Sequence, residues 1–246
     1  MNTLNISNVF STGWRIYRHN FVVYFRLAFI GCLWSWIPLY GWAKFYTSQG
    51  LISRLAFGEI SENPESIKEA RRYVKPRMWS FFIAAIKVCF KLLIAETIAI
   101  IIIAISFAFP LAIVGIIAPL IYIFRLYASY FISEVPLAVE DNLNATLAIA
   151  RSVELTKGYL KSIVAIMVIS SLISLPFWGI IVGNIVIGNS ETAISNTVSF
   201  ILSLVNTAIA ALIIPLWQCI KVALYRDLQI SREVGKRNFY DKNFAK

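Results

Sequence analysis

The sequence predicts an all-α protein: a polytopic transmembrane helical bundle of about six helices, or four plus a re-entrant first hairpin, with short interfacial amphipathic helices. Three observations predict it. Hydrophobic residues are 59% of the 246-residue chain and charged residues only 15%, with a mean hydropathy of +0.71. A soluble core cannot hide that much apolar surface, whereas a bilayer can. Apolar stretches also run long: Leu92–Leu120 holds one charge, Glu96, while Ile163–Gly188 and Thr192–Ile220 hold none. Roughly 20 apolar residues cross a ~30 Å hydrocarbon core. Finally, the net charge of +10 is segregated. Lys and Arg cluster at Arg15/Arg18, Lys68–Arg77, Arg151–Lys161 and Arg226–Lys246, and are absent from 106–112 and 162–220. An excess of Lys and Arg marks cytoplasmic loops. The basic clusters and both termini are therefore expected inside, and the two non-basic turns outside.

One membrane domain is expected over 1–246. Residues 1–20 form an amphipathic helix with no apolar h-region ahead of Phe21, so the first true helix inserts and no cleavable signal is expected. The first hairpin is 21–58. Phe21–Trp42 crosses outward, and the return through 42–58 is poorly hydrophobic, carrying Lys44 and Arg54. That segment is either a sixth span leaning on its neighbours or part of a hairpin that enters and leaves on one side. Segment 59–77 is a basic cytoplasmic helix, with Ser61 or Asn63 as its cap and Pro76 as its end. The second hairpin, 78–132, pairs Met78–Phe107 with Pro110–Ile132. In the cytoplasmic amphipathic segment 133–158, Leu147, Ala150, Val153 and Leu155 approximate an apolar face. The third hairpin, 159–226, pairs Tyr159–Ile187 with Ala193–Leu224, and 227–246 is a basic cytoplasmic tail. The amphipathic segments either lie in the headgroup plane or pack on the bundle.

Pro38-Leu39-Tyr40-Gly41 matches Pro176-Phe177-Trp178-Gly179, so the first and third hairpins could form a parallel repeat with each motif well along a helix. Gly179 and Gly183 form a GxxxG, a spacing that lets helices approach closely. Packing within the chain is the first expectation, and a dimer seam the second.

Arg26, Lys87, Lys91, Glu96 and Arg125 lie inside expected spans, where ionisable groups are rare and usually paired or facing water. Arg26 is near enough to its helix end to snorkel. If the second hairpin turns near Phe109, residues at equal depth have numbers summing to roughly 219. Glu96 then pairs with Arg125, and Lys87 reaches Glu134 or the headgroups. These charges, Lys91 included, are either structural glue or a cytoplasm-facing polar cavity for an anionic headgroup or solute. Arg71, Arg72, Lys75 and Arg77 are expected to contact anionic lipid, which explains the basic clusters without nucleic acid.

Catalytic patterns are absent. The single histidine, His19, precedes the first span, and no HExxH, GxSxG, GxxxxGK or GxGxxG occurs. Glu140-Asp141 is the only adjacent acidic pair and can sit at a helix N-terminus. Cys32, Cys89 and Cys219 stand far apart in apolar segments and read as small hydrophobes. No enzyme, cofactor or metal is expected, although bound lipids are.

The stretch Pro119–Ala128 (PLIYIFRLYA), then Glu134–Glu140 (EVPLAVE), then Ala148–Gly158 (AIARSVELTKG) resembles a broad bacterial superfamily of multi-spanning membrane proteins. It includes the membrane domain that accompanies some glycerophosphodiester phosphodiesterases. Ala148, Ser152, Leu155, Lys157 and Gly158 match its amphipathic-helix pattern. Its Pro-Gly is missing here, with Ala118-Pro119 nearest. The resemblance implies a six-helix membrane module; the phosphodiesterase domain itself is absent.

Two functions follow as expectations. The first is a non-catalytic accessory or scaffold subunit that binds lipids and a protein partner in a larger complex, in a bacterial inner membrane or an internal membrane of equivalent topology. The alternative is a transporter or channel for a small anionic solute or lipid.

Overall fold

The computed structural model describes residues 4–106, 112–188 and 196–244, and these are all-helical. In order they form α1 (Ile6–His19), α2 (Phe21–Trp34), α3 (Tyr40–Ile60), α4 (Ile67–Val74), α5 (Met78–Ser106), α6 (Ala112–Tyr130), α7 (Val135–Val139), α8 (Ala145–Thr156), α9 (Leu160–Gly188) and α10 (Asn196–Phe244). A 3-10 turn, Lys75–Arg77, joins α4 to α5. Four segments are long and apolar enough to cross a membrane: Ile67–Ser106, Gly115–Val139, Leu160–Ile185 and Thr197–Glu233. The chain is an integral membrane helical protein.

The first hairpin is shorter than the other two. Helix α2 has 14 residues, or about 21 Å of rise against a ~30 Å hydrocarbon core. Its partner α3 is not apolar enough to count among the spans. The reason is that α3 is wrapped by protein: it packs on α2, α5, α7 and α10, and Ala43, Ile52 and Ala56 have no exposed surface. A helix shielded by other helices can carry Gln49, Ser53 and Arg54, because neighbouring side chains satisfy them. Of the two sequence readings, the length favours four spans plus a short first hairpin.

Pro38 lies in the turn between α2 and α3, whereas Pro176 lies inside α9. The two Pro-x-aromatic-Gly motifs therefore occupy unlike structures, which removes the basis for the repeat. Leu39 takes a positive φ of 59° in that turn. A Cβ on Gly41 would lie 1.9 Å from the Trp34 carbonyl oxygen, so glycine is what lets α3 begin so close to α2. What does recur is an amphipathic helix ahead of each hairpin: α1, α4 and α8 precede α2/α3, α5/α6 and α9/α10.

These amphipathic helices pack on the bundle. Gly13 of α1 sits against the Ile220 backbone of α10, and the Tyr17 hydroxyl donates to Leu212 O at 3.0 Å. Helix α4 is capped by Ser66, not by Ser61 or Asn63, because Ser66 and Glu69 complete a reciprocal capping box. In α8, Ala145, Ala148, Ile149, Ser152 and Leu155 are buried, while Leu147 and Val153 are exposed. The apolar face expected from 147, 150, 153 and 155 is thus mostly the outer one, with only Leu155 of the four turned to the bundle, because a second apolar stripe through Ala148 and Ile149 makes the contact. Helix α10 runs unbroken for 49 residues, roughly 74 Å. The basic segment after Asp227 continues this helix as far as Phe244.

Candidate functional site

Most buried polar contacts gather at the end of the bundle that carries the basic residues, around the five-residue helix α7. Val135, Leu137 and Ala138 of α7 have no exposed surface. An acidic residue brackets each end, and both reach the same face of α10. Glu134 accepts from Lys221 Nζ at 2.6 Å and from Gln218 Nε2 at 2.8 Å. Glu140 accepts from the Tyr225 hydroxyl and from Arg151 Nε at 3.1 Å. The spacing explains why: residues 218, 221, 225 and 229 share one helical face, and Gln229 in turn donates to the Tyr225 oxygen at 2.7 Å.

Helix α3 completes the knot. Gln218 donates to Gln49 Oε1 at 2.8 Å and accepts from Ser53 Oγ at 3.0 Å. Arg54 donates twice to Glu65, at 2.8 and 2.7 Å, and once to Ala138 O at 3.2 Å. The Arg54 and Arg77 guanidinium groups both lie over the Tyr73 ring, 3.5 and 4.1 Å from its centroid. Arg77 also donates to Leu137 O and Glu140 O at 3.2 and 2.8 Å. Tyr73 donates its hydroxyl to Glu140 O and shares it with Asp141. Burial alone would lower the Arg151 guanidinium, but hydrogen bonds to Glu140 and Glu154 outweigh it and hold the group above its ordinary value.

This geometry revises several sequence expectations. Glu96 is bonded not to Arg125 but to the Tyr127 hydroxyl, and Arg125 is exposed. Equal depth was the right criterion for level and the wrong one for direction: residues 125 and 127 are about 200° apart around a helix, so only one can face α5. Lys87 reaches Thr146 Oγ1 at 2.7 Å, not Glu134, whose Oε1 serves α10. Lys91 lies 5.3 Å from the centre of the Tyr130 ring. Of the four basic residues expected on lipid, Arg71, Arg72 and Lys75 are exposed, whereas Arg77 is turned inward to α7. Glu140 sits at the C-terminal cap of α7, and Asn144 caps α8 instead. A Cβ on Gly179 or Gly183 would meet nothing within 4 Å, so this GxxxG makes no close helix contact within the chain.

Gln49, Ser53, Gln218, Lys221 and Tyr225 were not picked out by sequence reasoning. The available signal was their chemistry: Gln218 and Lys221 interrupt an apolar run one turn apart, and α3 is too polar to face lipid alone.

Between α5, α6, α9 and α10 a cavity of about 550 Å³ is lined by Glu96, Tyr127, Glu134, Ser171, Trp217 and Lys221, among others. Both carboxylates in it already accept hydrogen bonds, and its cation is already paired. Such a wall can hold a polar guest. Among the described residues no three or more His, Cys, Asp or Glu gather as metal ligands. Cys32, Cys89 and Cys219 are free thiols. Compared with known proteins, the chain matches no family model, no curated protein and no solved structure.

Proposed function

We propose that this chain is a non-catalytic accessory or scaffold subunit that docks on a larger membrane complex through the lipid-facing sides of its long helices. One observation carries the reading. The charged groups that bridge α3, α7, α8 and α10 are concentrated at the basic end and bind one another, while the helices beyond present bulky apolar side chains outward. Ile98, Ile101, Ile105, Leu172, Leu175 and Trp178 are all exposed. A network linking four helices makes a rigid platform, and an apolar exterior suits helix partners as well as lipid. Both termini belong on the cytoplasmic side in this reading, because the basic end should face inward. Gentle solubilisation followed by measurement of subunit stoichiometry tests it: a fixed ratio to another integral membrane protein supports it, and a homogeneous monomer or homo-oligomer contradicts it.

A further inference from the structure

We infer that the outer face of the α5–α6 hairpin holds one anionic phospholipid of the leaflet at the basic end, with an acyl chain in the groove between the helices and the phosphate at Lys91. This goes beyond the scaffold reading and does not depend on it. The groove encloses about 730 Å³, and Lys91, Ala95, Ala99, Gly115, Ala118 and Tyr130 are among the residues that line it. Small side chains on both helices create it. Gly115 lets α6 close on Ser106 near one end, where a Cβ would fall 1.8 Å from the Ser106 Oγ. Nearer the basic end, Ala95 and Ala99 of α5 and Ala118 of α6 leave a trough that no side chain fills.

Position and charge select the occupant. From Lys91 to Ile102, both lining the groove, α5 rises about 16 Å, close to one leaflet of a ~30 Å hydrocarbon core. Its walls are almost wholly apolar, as an acyl chain requires. Among the described residues Lys91 is the only charged side chain lining it, and no carboxylate among them pairs with Lys91. Its ammonium rests near the Tyr130 ring instead. An unpaired ammonium at this depth is costly unless it reaches an anion, and its flexible stem can reach up to the headgroup level. The groove accepts the chain, and Lys91 selects the phosphate.

The full chain, delipidated in detergent and titrated with palmitoyl-oleoyl phosphatidylglycerol or phosphatidylcholine, tests this by native mass spectrometry. One phosphatidylglycerol should be retained preferentially. Lys91→Gln should weaken that retention about fivefold to tenfold, and Lys91→Arg should preserve it. Ala118→Trp fills the groove from an exposed position, so it should displace the lipid without unfolding the chain, which circular dichroism would verify. Equal retention by wild type and Lys91→Gln, or no preference for phosphatidylglycerol over phosphatidylcholine, overturns the proposal. Retention unaffected by Ala118→Trp overturns the placement of the acyl chain.

Discussion

Removing the charge of Glu134 should be among the most damaging single changes to this fold. Glu134 and Lys221 are 2.6 Å apart, with side chains only 20% and 17% exposed, and Gln218 uses the same carboxylate oxygen. Glu134→Ala leaves an ammonium without its anion and an amide without its acceptor. Breaking a fully buried pair costs about 3–5 kcal/mol, because an uncompensated charge remains. The residual exposure here lets water soften that, so we expect about 2–3 kcal/mol. On the scale of 1.4 kcal/mol per tenfold, that is roughly 30- to 150-fold in the folding equilibrium. Denaturant unfolding in mixed micelles would measure it. The informative arm is the double variant: Glu134→Gln with Lys221→Met removes both charges and should recover at least half of the loss, since a neutral pair carries no stranded ion. A loss below ~0.5 kcal/mol, the range of an exposed pair, would falsify this reasoning. So would a double variant no more stable than the worse single one.

Tyr127→Phe removes the described donor to Glu96 and should destabilise by about 1–2 kcal/mol, whereas Arg125→Gln should change stability by less than ~0.5 kcal/mol; the opposite order in the same unfolding assay would restore a Glu96–Arg125 pair. Tyr73→Leu removes the ring beneath two guanidinium groups and a hydroxyl that binds Glu140 O, and should cost about 2 kcal/mol, read as faster proteolysis of the α4 segment. Gly41→Ala forces a methyl group against the Trp34 carbonyl and should lower stability by more than ~2 kcal/mol, while Gly179→Ala, in open space, should leave the monomer unchanged. Finally, Trp36→Cys should resist a membrane-impermeant maleimide added from outside if the first hairpin stops short of a crossing; strong labelling of position 36 would make it a full span.

The long helices could be read in the sequence because each carries its own evidence, an apolar run of spanning length. The amphipathic helix ahead of each hairpin was legible for a similar reason. Contacts between distant elements were not. The depth rule placed Glu96 near the right turn of α6, but it could not say whether residue 125 or 127 faced inward without the rotation of that helix. The α8 face failed because apolar residues lie on both sides of that helix: Ala148, Ile149 and Leu155 face the bundle and Leu147, Ala150 and Val153 face out, and hydropathy does not rank one stripe above the other. Arg77 was assigned to lipid on charge alone, since nothing local reveals that Tyr73 and the carbonyls of α7 await it. The EVPLAVE segment stood out as a motif, and its acids proved to be the two ends of the buried knot. The partners on α10, more than 80 residues away, could only come from the fold.

The scaffold reading is tested most directly by photocrosslinking in intact membranes. A benzoyl-phenylalanine would be placed in turn at Ile98, Ile101 and Ile105 of α5 and at Leu172, Leu175 and Trp178 of α9, all exposed positions. The account predicts one discrete protein adduct, arising from neighbouring positions on one face and absent from the others. Adducts to lipid alone at every position would contradict it.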